Sequence, residues 1–216
     1  MIHFKLHIVV LAMVSTMSAQ SGLPDGRTLK GVDIDSLPDA QKRKVLVLSE
    51  LGKSTDIQNA RDPAARLQTE SLVKARESVF RDDLSKAEDY LTVLSPFEPG
   101  SANWHLDAAT RWLLLSDGMT GQVDRARSRR VTSQMLQRTR EAETLARAKG
   151  DLRLASAAKS MEATILLRYV GDPAAALIAY REASAANPQD TAIREAMTKL
   201  ERSLKLLQTQ AKNRKQ

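Results

Sequence analysis

Cysteine is absent from the 216 residues. That excludes disulfides, thiolate metal sites, a cysteine nucleophile and a lipid anchor on a cleavage-site cysteine. Aromatic residues make up only 4% of the chain, while Ala, Leu, Arg, Gln and Glu recur throughout, a balance of good helix formers. Histidine occurs three times; His3 and His7 precede residue 20, so His105 alone is left beyond it. No later run is apolar for the roughly 20 residues that a membrane-spanning helix requires. No Asn-x-Ser/Thr acceptor occurs. What the chain does have is charge, 33 Lys and Arg against 26 Asp and Glu, for a formal net of +7.

The first residues have the layout of a secretory signal peptide. A short basic start (Met1 to His7, with Lys5) precedes the apolar Ile8-Val9-Val10-Leu11-Ala12-Met13-Val14 and then the small, polar Ser15-Thr16-Met17-Ser18-Ala19. Cleavage after Ala19 puts Met17 where a small residue is preferred, and cleavage after Ser18 puts Thr16 there. Retention of the segment as an anchor is the rival reading. An exported product, periplasmic or secreted, meets no cytosolic nucleic acid despite its basic charge. Lack of cysteine suits an exported bacterial protein, which then has no thiol to mispair.

Residues 20–35 hold three glycines and a proline with little periodicity and read as a flexible leader. Helix signals follow. Ser36-Leu37-Pro38-Asp39 reads as a start capped by Ser36, with Val45, Leu46, Leu48 and Leu51 on the apolar face and Gly52 as a left-handed stop. Asp62-Pro63 opens the next helix, with Leu67, Val73, Val79 and Phe80 facing inward, and another spans 84–94. Ser95-Pro96-Phe97-Glu98-Pro99-Gly100 breaks the pattern. Ser101 caps a helix with Trp104, Ala108, Trp112 and Leu115 on one stripe. Gly118 and Gly121 mark a turn, and a long helix runs from Val123 to Lys149. Gly150-Asp151, Gly171-Asp172-Pro173, Asn187-Pro188 and Asp190 delimit three more. No stretch alternates with period two for long enough to form a strand. The fold class is all-α, seven or eight helices joined by short loops, hence antiparallel hairpins; residues 36–211 form the helical domain and 212–216 a basic tail.

Within this pattern, Ala176, Tyr180, Ala183 and Pro188 stand four, three and five residues apart, after the turn at Gly171. This segment, about 156–190, resembles the second helix of a tetratricopeptide repeat, where small residues let paired helices approach and proline closes the unit. Ala87, Leu91, Leu94 and Pro99 give a weaker copy at about 68–101. In the preceding helix, Ala163, Thr164 and Leu167 replace the small and aromatic residues of the family's first helix. The resemblance implies hairpins stacked as an array, the last helix (Ile193, Met197, Leu200, Leu204, Leu207) capping it, and a partner protein or peptide bound on the inner helices. Arg153, Lys159, Glu162 and Arg168 are the candidate contacts it implies. A helical bundle of another kind fits the same periodicity.

Candidate chemistry is sparse. His105 has only Asp107 near it in sequence, two residues on and off its helical face. Asp82-Asp83 and Glu141-Glu143 read as solvated helix charges, and Gly118-Met-Thr-Gly121 lacks the strand and lysine of a phosphate loop. No cofactor, metal or catalytic set is expected. Trp104 and Trp112 read as core, or as an anchor for a bound peptide if one faces outward. The run Arg125, Arg127, Arg129, Arg130 has no aromatics interleaved, unlike a single-strand nucleic-acid surface. The sequence therefore predicts an exported, non-catalytic helical-repeat protein that binds or scaffolds a protein partner. The alternative is a structural envelope protein held through its basic faces to anionic cell-wall polymer or membrane surface.

Overall fold

The computed structural model describes residues 28–29, 32–54 and 60–213. The signal-peptide segment 1–19, most of the leader and the last three residues of the basic tail lie outside the described residues. The chain is all-α, as the sequence predicts. The described residues fall into two compact units, one ending at Pro99 and one beginning at Gly100, where the sequence reading treats 36–211 as one domain. No helix among them is long and apolar enough to cross a membrane.

The first unit opens with a two-residue antiparallel pairing of β1 (Thr28–Leu29) and β2 (Val32–Asp33). A single 3-10 turn, Ile34–Ser36, follows and buries Ile34, so the end of the expected leader is structured. Helix α1 (Asp39–Gly52) begins after Pro38 with no side-chain cap. Ser36 is therefore not the cap that its spacing suggests. Gly52 lies inside the last turn and is not a left-handed stop. Helix α2 (Pro63–Phe80) has Asp62 accepting from the Ala64 and Ala65 N–H groups, and α3 (Leu84–Thr92) has Asp83 accepting from Lys86.

Burial in α2 differs from the apolar pattern. Val73 and Phe80 are exposed, and Leu67, Ser71, Ala75, Ser78 and Val79 are buried. The buried stripe packs on α3, where Ala87 is fully buried and the Ser71 hydroxyl donates to the Tyr90 carbonyl. Val73 and Phe80 stand on the opposite side of α2 from that stripe. Phe80 stays outside beneath the Arg76 guanidinium, 5.7 Å from the ring centroid. In α1 the exposed residue is Leu46, and Val47, Leu48 and Leu51 are buried.

The second unit contains α4 (Ala102–Gly118), α5 (Arg125–Ala148), α6 (Leu152–Ile165), α7 (Pro173–Ala186) and α8 (Thr191–Asn213). Side-chain caps start four of them: Ser101, Asp124, Asp151 and Asp172 each accept from a backbone N–H three residues on. Asp190 does the same for Ile193. Successive helices pack on one another, and α6 also touches α4. Past Ile165, α6 widens into a π-helical turn, Leu166–Val170, which Gly171 ends at φ 73°, a backbone region that side chains disfavour.

Three of the residues that carry the family resemblance are core, whereas Gly171 and Pro188 are exposed. Ala176 and Ala183 are fully buried and Tyr180 nearly so, with Ala163 opposite. Pro188 follows the end of α7. Helix α8 lies on α7 through Ile193 and Leu200, with Met197 and Leu204 partly buried. Leu207, expected on its apolar stripe, is 60% exposed together with Leu206.

Ala183 offers a clean test of this packing. Its side chain is fully buried, and its carbonyl accepts from the Ser156 hydroxyl at 2.7 Å. Ala183→Leu is expected to cost about 1–3 kcal/mol by overpacking. Trp104 and Trp112 both lie in the second unit, so denaturant unfolding followed by tryptophan fluorescence reads that unit alone. An unchanged midpoint would show that α6 and α7 do not approach this closely.

Candidate functional site

Helices α4 and α6 are built to one register. In α4, His105, Ala108, Trp112 and Leu115 are buried; in α6, Ala155, Ala158, Glu162 and Ile165 are buried at the same three- and four-residue steps. A left-handed glycine, Gly100 or Gly150, precedes each capping residue. The opposite sides match as well. Asn103, Asp107, Thr110, Leu114 and Asp117 form one exposed or half-exposed row, and Arg153, Ala157, Ser160, Thr164 and Leu167 the other. The equivalence was legible in the glycine spacing (Gly100 and Gly121 against Gly150 and Gly171), but a search at the tetratricopeptide period does not find it.

These two rows are nearly neutral. Asp107 pairs with Arg111 at 2.8 Å, and Asp117 pairs with Arg168 at 2.9 Å while also accepting from the Tyr169 hydroxyl. The Asp117 contacts tie the end of α4 to the π-helical turn after α6. Leu114 is 62% exposed at the middle of its row. Arg153 is exposed, as the partner-binding reading requires. Arg168 is exposed but already engaged with Asp117.

Lys159 and Glu162 are turned inward and do not offer a partner-binding surface. Lys159 Nζ lies 3.1 Å from Glu143 of α5, 2.9 Å from Glu162 of its own helix and 3.0 Å from Glu182 of α7. Arg140 donates to the other oxygen of Glu162 at 2.8 Å, and Arg147 donates to Glu143 at 2.8 Å. Three anions and three cations thus join three helices. Burial alone would raise the Glu162 carboxyl, but hydrogen bonds from Arg140 and Lys159 outweigh it and hold the group below its ordinary 4.5. Burial likewise works against the Lys159 ammonium, and the three carboxylates overcome it and raise its pKa. Among the described residues no His, Asp and Glu cluster suits a metal ion. Where carboxylates do converge, an ammonium fills the centre.

His105 is buried, and its Nδ1 lies 2.9 Å from Glu141 Oε2. Arg138 donates to that same oxygen at 2.6 Å and stacks over Trp104, 5.2 Å from the ring centroid. Hydrogen bonds from Gln137 and Arg138 outweigh burial and hold the Glu141 carboxyl below its usual range. Trp104 is therefore half-buried against α5, and Trp112 is wholly buried. Glu141 was the missed partner: it stands a hairpin away from His105, where sequence proximity gives no signal.

The arginine run divides. Arg125, Arg129 and Arg130 are exposed, whereas Arg127 is half-buried and its Nη1 lies 3.2 Å from Asp124. Its Nε is buried without a hydrogen-bond partner, so Arg127 does not belong to the outer surface. No family model, curated protein or solved structure matches this chain.

Removal of the central ammonium tests the ion cluster. Lys159→Met is expected to cost about 3 kcal/mol, because it removes the cation that three carboxylates share and leaves Glu162 and Glu143 with one partner each, and adding Glu162→Leu should restore part of the loss. The acid limb follows from Glu162. Its lowered folded pKa stabilises the fold above about pH 4.5, and that contribution disappears as pH falls through the folded value. Lys159, raised, contributes fully below its unfolded pKa and loses its contribution only at strongly alkaline pH. Urea midpoints from pH 3 to 7 should fall less steeply for Glu162→Gln than for the parent; equal slopes would remove Glu162 from the cluster's energetics.

Proposed function

We propose that this chain is an exported, non-catalytic binding or scaffold module. In this reading its hairpins stack in tetratricopeptide fashion, and a protein or peptide partner lies along the exposed rows of α4 and α6. The observation that carries the reading is the matched pair of rows on two touching helices, with Leu114 standing out among short polar side chains. Thr110, Ser160 and Thr164 offer hydroxyls on either side of it, Leu167 adds apolar surface, and Arg153 supplies one cation at the start of α6. Most charge on this face is already paired, so recognition there rests on shape, apolar contact and hydrogen bonds. The layout of residues 1–19 supports export, and residues 171–188 support the repeat reading.

A contact of this kind survives salt, because apolar burial is not screened. Tagged full-length protein is expected to retain a defined partner from an envelope extract washed at about 0.5 M salt. Leu114→Asp should lower that capture about tenfold or more, equivalent to roughly 1.4 kcal/mol at a contact residue. Its melting temperature should hardly move, because the side chain is largely in water. Capture that is indifferent to Leu114→Asp would exclude this face.

A further inference from the structure

The outer side of α5 carries charge of one sign. From residue 125 to 150 the exposed charged side chains are Arg125, Arg129, Arg130, Arg140, Arg147 and Lys149, and no Asp or Glu is exposed there. Arg140 and Arg147 reach inward to Glu162 and Glu143 yet remain 60% and 46% exposed. The arginines extend for about 33 Å at 1.5 Å per residue. Four of them, Arg125, Arg129, Arg140 and Arg147, fall within one helical flank, and Arg130 falls on the other. Between the flanks stand the small exposed Ala126, Ser133 and Thr144, together with the exposed Gln137. Such a helix can come close to a flat surface while long guanidinium side chains reach it from both edges.

We propose that this face of α5 docks on the anionic headgroups of a lipid bilayer. Charge complementarity is the first argument: guanidinium groups pair with phosphate oxygens in two-point fashion, and juxtamembrane basic residues gain from the negative surface potential. Shape is the second. The packing partners of α5 in this unit, α4 and α6, meet its buried side, so neither of them forms a wall beside the arginines. The face also lacks any exposed residue that could insert into the acyl region, since its apolar members are alanines. Adsorption is therefore electrostatic and peripheral, and it proceeds independently of any partner on α4 and α6.

The test is vesicle sedimentation of the full-length protein, with phosphatidylcholine vesicles as the blank and vesicles containing about 30% phosphatidylglycerol as the probe. Binding above the blank is expected at about 0.05 M salt and should vanish at about 0.5 M. The variant R125Q/R129Q/R130Q should partition about a hundredfold more weakly, since each basic residue near such a surface contributes roughly fivefold. Helix content by circular dichroism should match the parent, because all three side chains are exposed and glutamine is a comparable helix former. R127Q serves as the in-run control and should bind nearly as the parent does, because Arg127 faces Asp124. Equal binding of the triple variant, or binding to the blank that accounts for the whole signal, would overturn the proposal. So would soluble polyphosphate that displaces the protein at phosphate concentrations equal to the lipid's, which would assign the face to a linear polymer instead.

Discussion

The second unit depends on how closely α6 and α7 approach, and that distance is set by methyl groups. Ala163 on one helix and Ala176, Ala179 and Ala183 on the other share one buried cluster, with Tyr180 the one bulky side chain of α7 among them. Small side chains permit short interaxial distances. They also bury little: at about 0.8 kcal/mol per methylene, an alanine gives up roughly 2 kcal/mol relative to a buried leucine. A smooth contact of this kind has few knobs to fix one helix along the other. Register must come from polar groups, and it does. Ser156 donates to the Ala183 carbonyl, Thr164 meets the Tyr180 hydroxyl at 3.2 Å, and Lys159 gathers carboxylates from three helices.

The comparison of α4 with α6 shows how two side chains of opposite character fill one position. Trp112 and Glu162 occupy the same step of the same buried stripe. The indole stabilises by area. The carboxylate cannot, because taking it from water costs several kcal/mol before any partner is counted. Arg140 and Lys159 offset that cost by hydrogen-bonding both oxygens. Little net stability follows from such a site, but strong geometric demand does: shifting α6 by one residue would leave the carboxylate buried without partners. The ion cluster therefore acts as a register lock on an alanine interface that lacks one of its own.

Much of this was legible in the sequence, for reasons that are local. Asp62, Ser101, Asp151, Asp172 and Asp190 announced their helices because a cap needs only a hydrogen bond to the next three residues. The all-α class followed from those boundaries and from periodicity. The failures share another cause. Ser36 and Gly52 have the right chemistry for helix ends, but the chain turns earlier at one and later at the other. Val73 and Phe80 are apolar, yet they stand opposite the stripe of α2 that is buried. Lys159 and Glu162 look like solvent-facing charges until Glu143 and Glu182 arrive from other helices. His105 meets Glu141 only once α4 and α5 are antiparallel. Each miss required knowing a neighbour distant in sequence.

The same cross-helix contacts decide what the surface offers. Helix α5 contains seven arginines and two acids, Glu141 and Glu143. Both acids are drawn toward other helices, Glu141 to His105 and Glu143 to Lys159. Had either remained on the outer side, it would have neutralised an arginine through a surface pair of the ordinary weak kind. Packing thus separates the charges of one helix, with the anions drawn toward other helices and Arg125, Arg129 and Arg130 on the exposed side. On α4 and α6 the outcome is reversed, because Asp107 and Asp117 find Arg111 and Arg168 on the exposed side and cancel them. A uniformly charged face and a nearly neutral one on the same unit follow from where its few acids are spent.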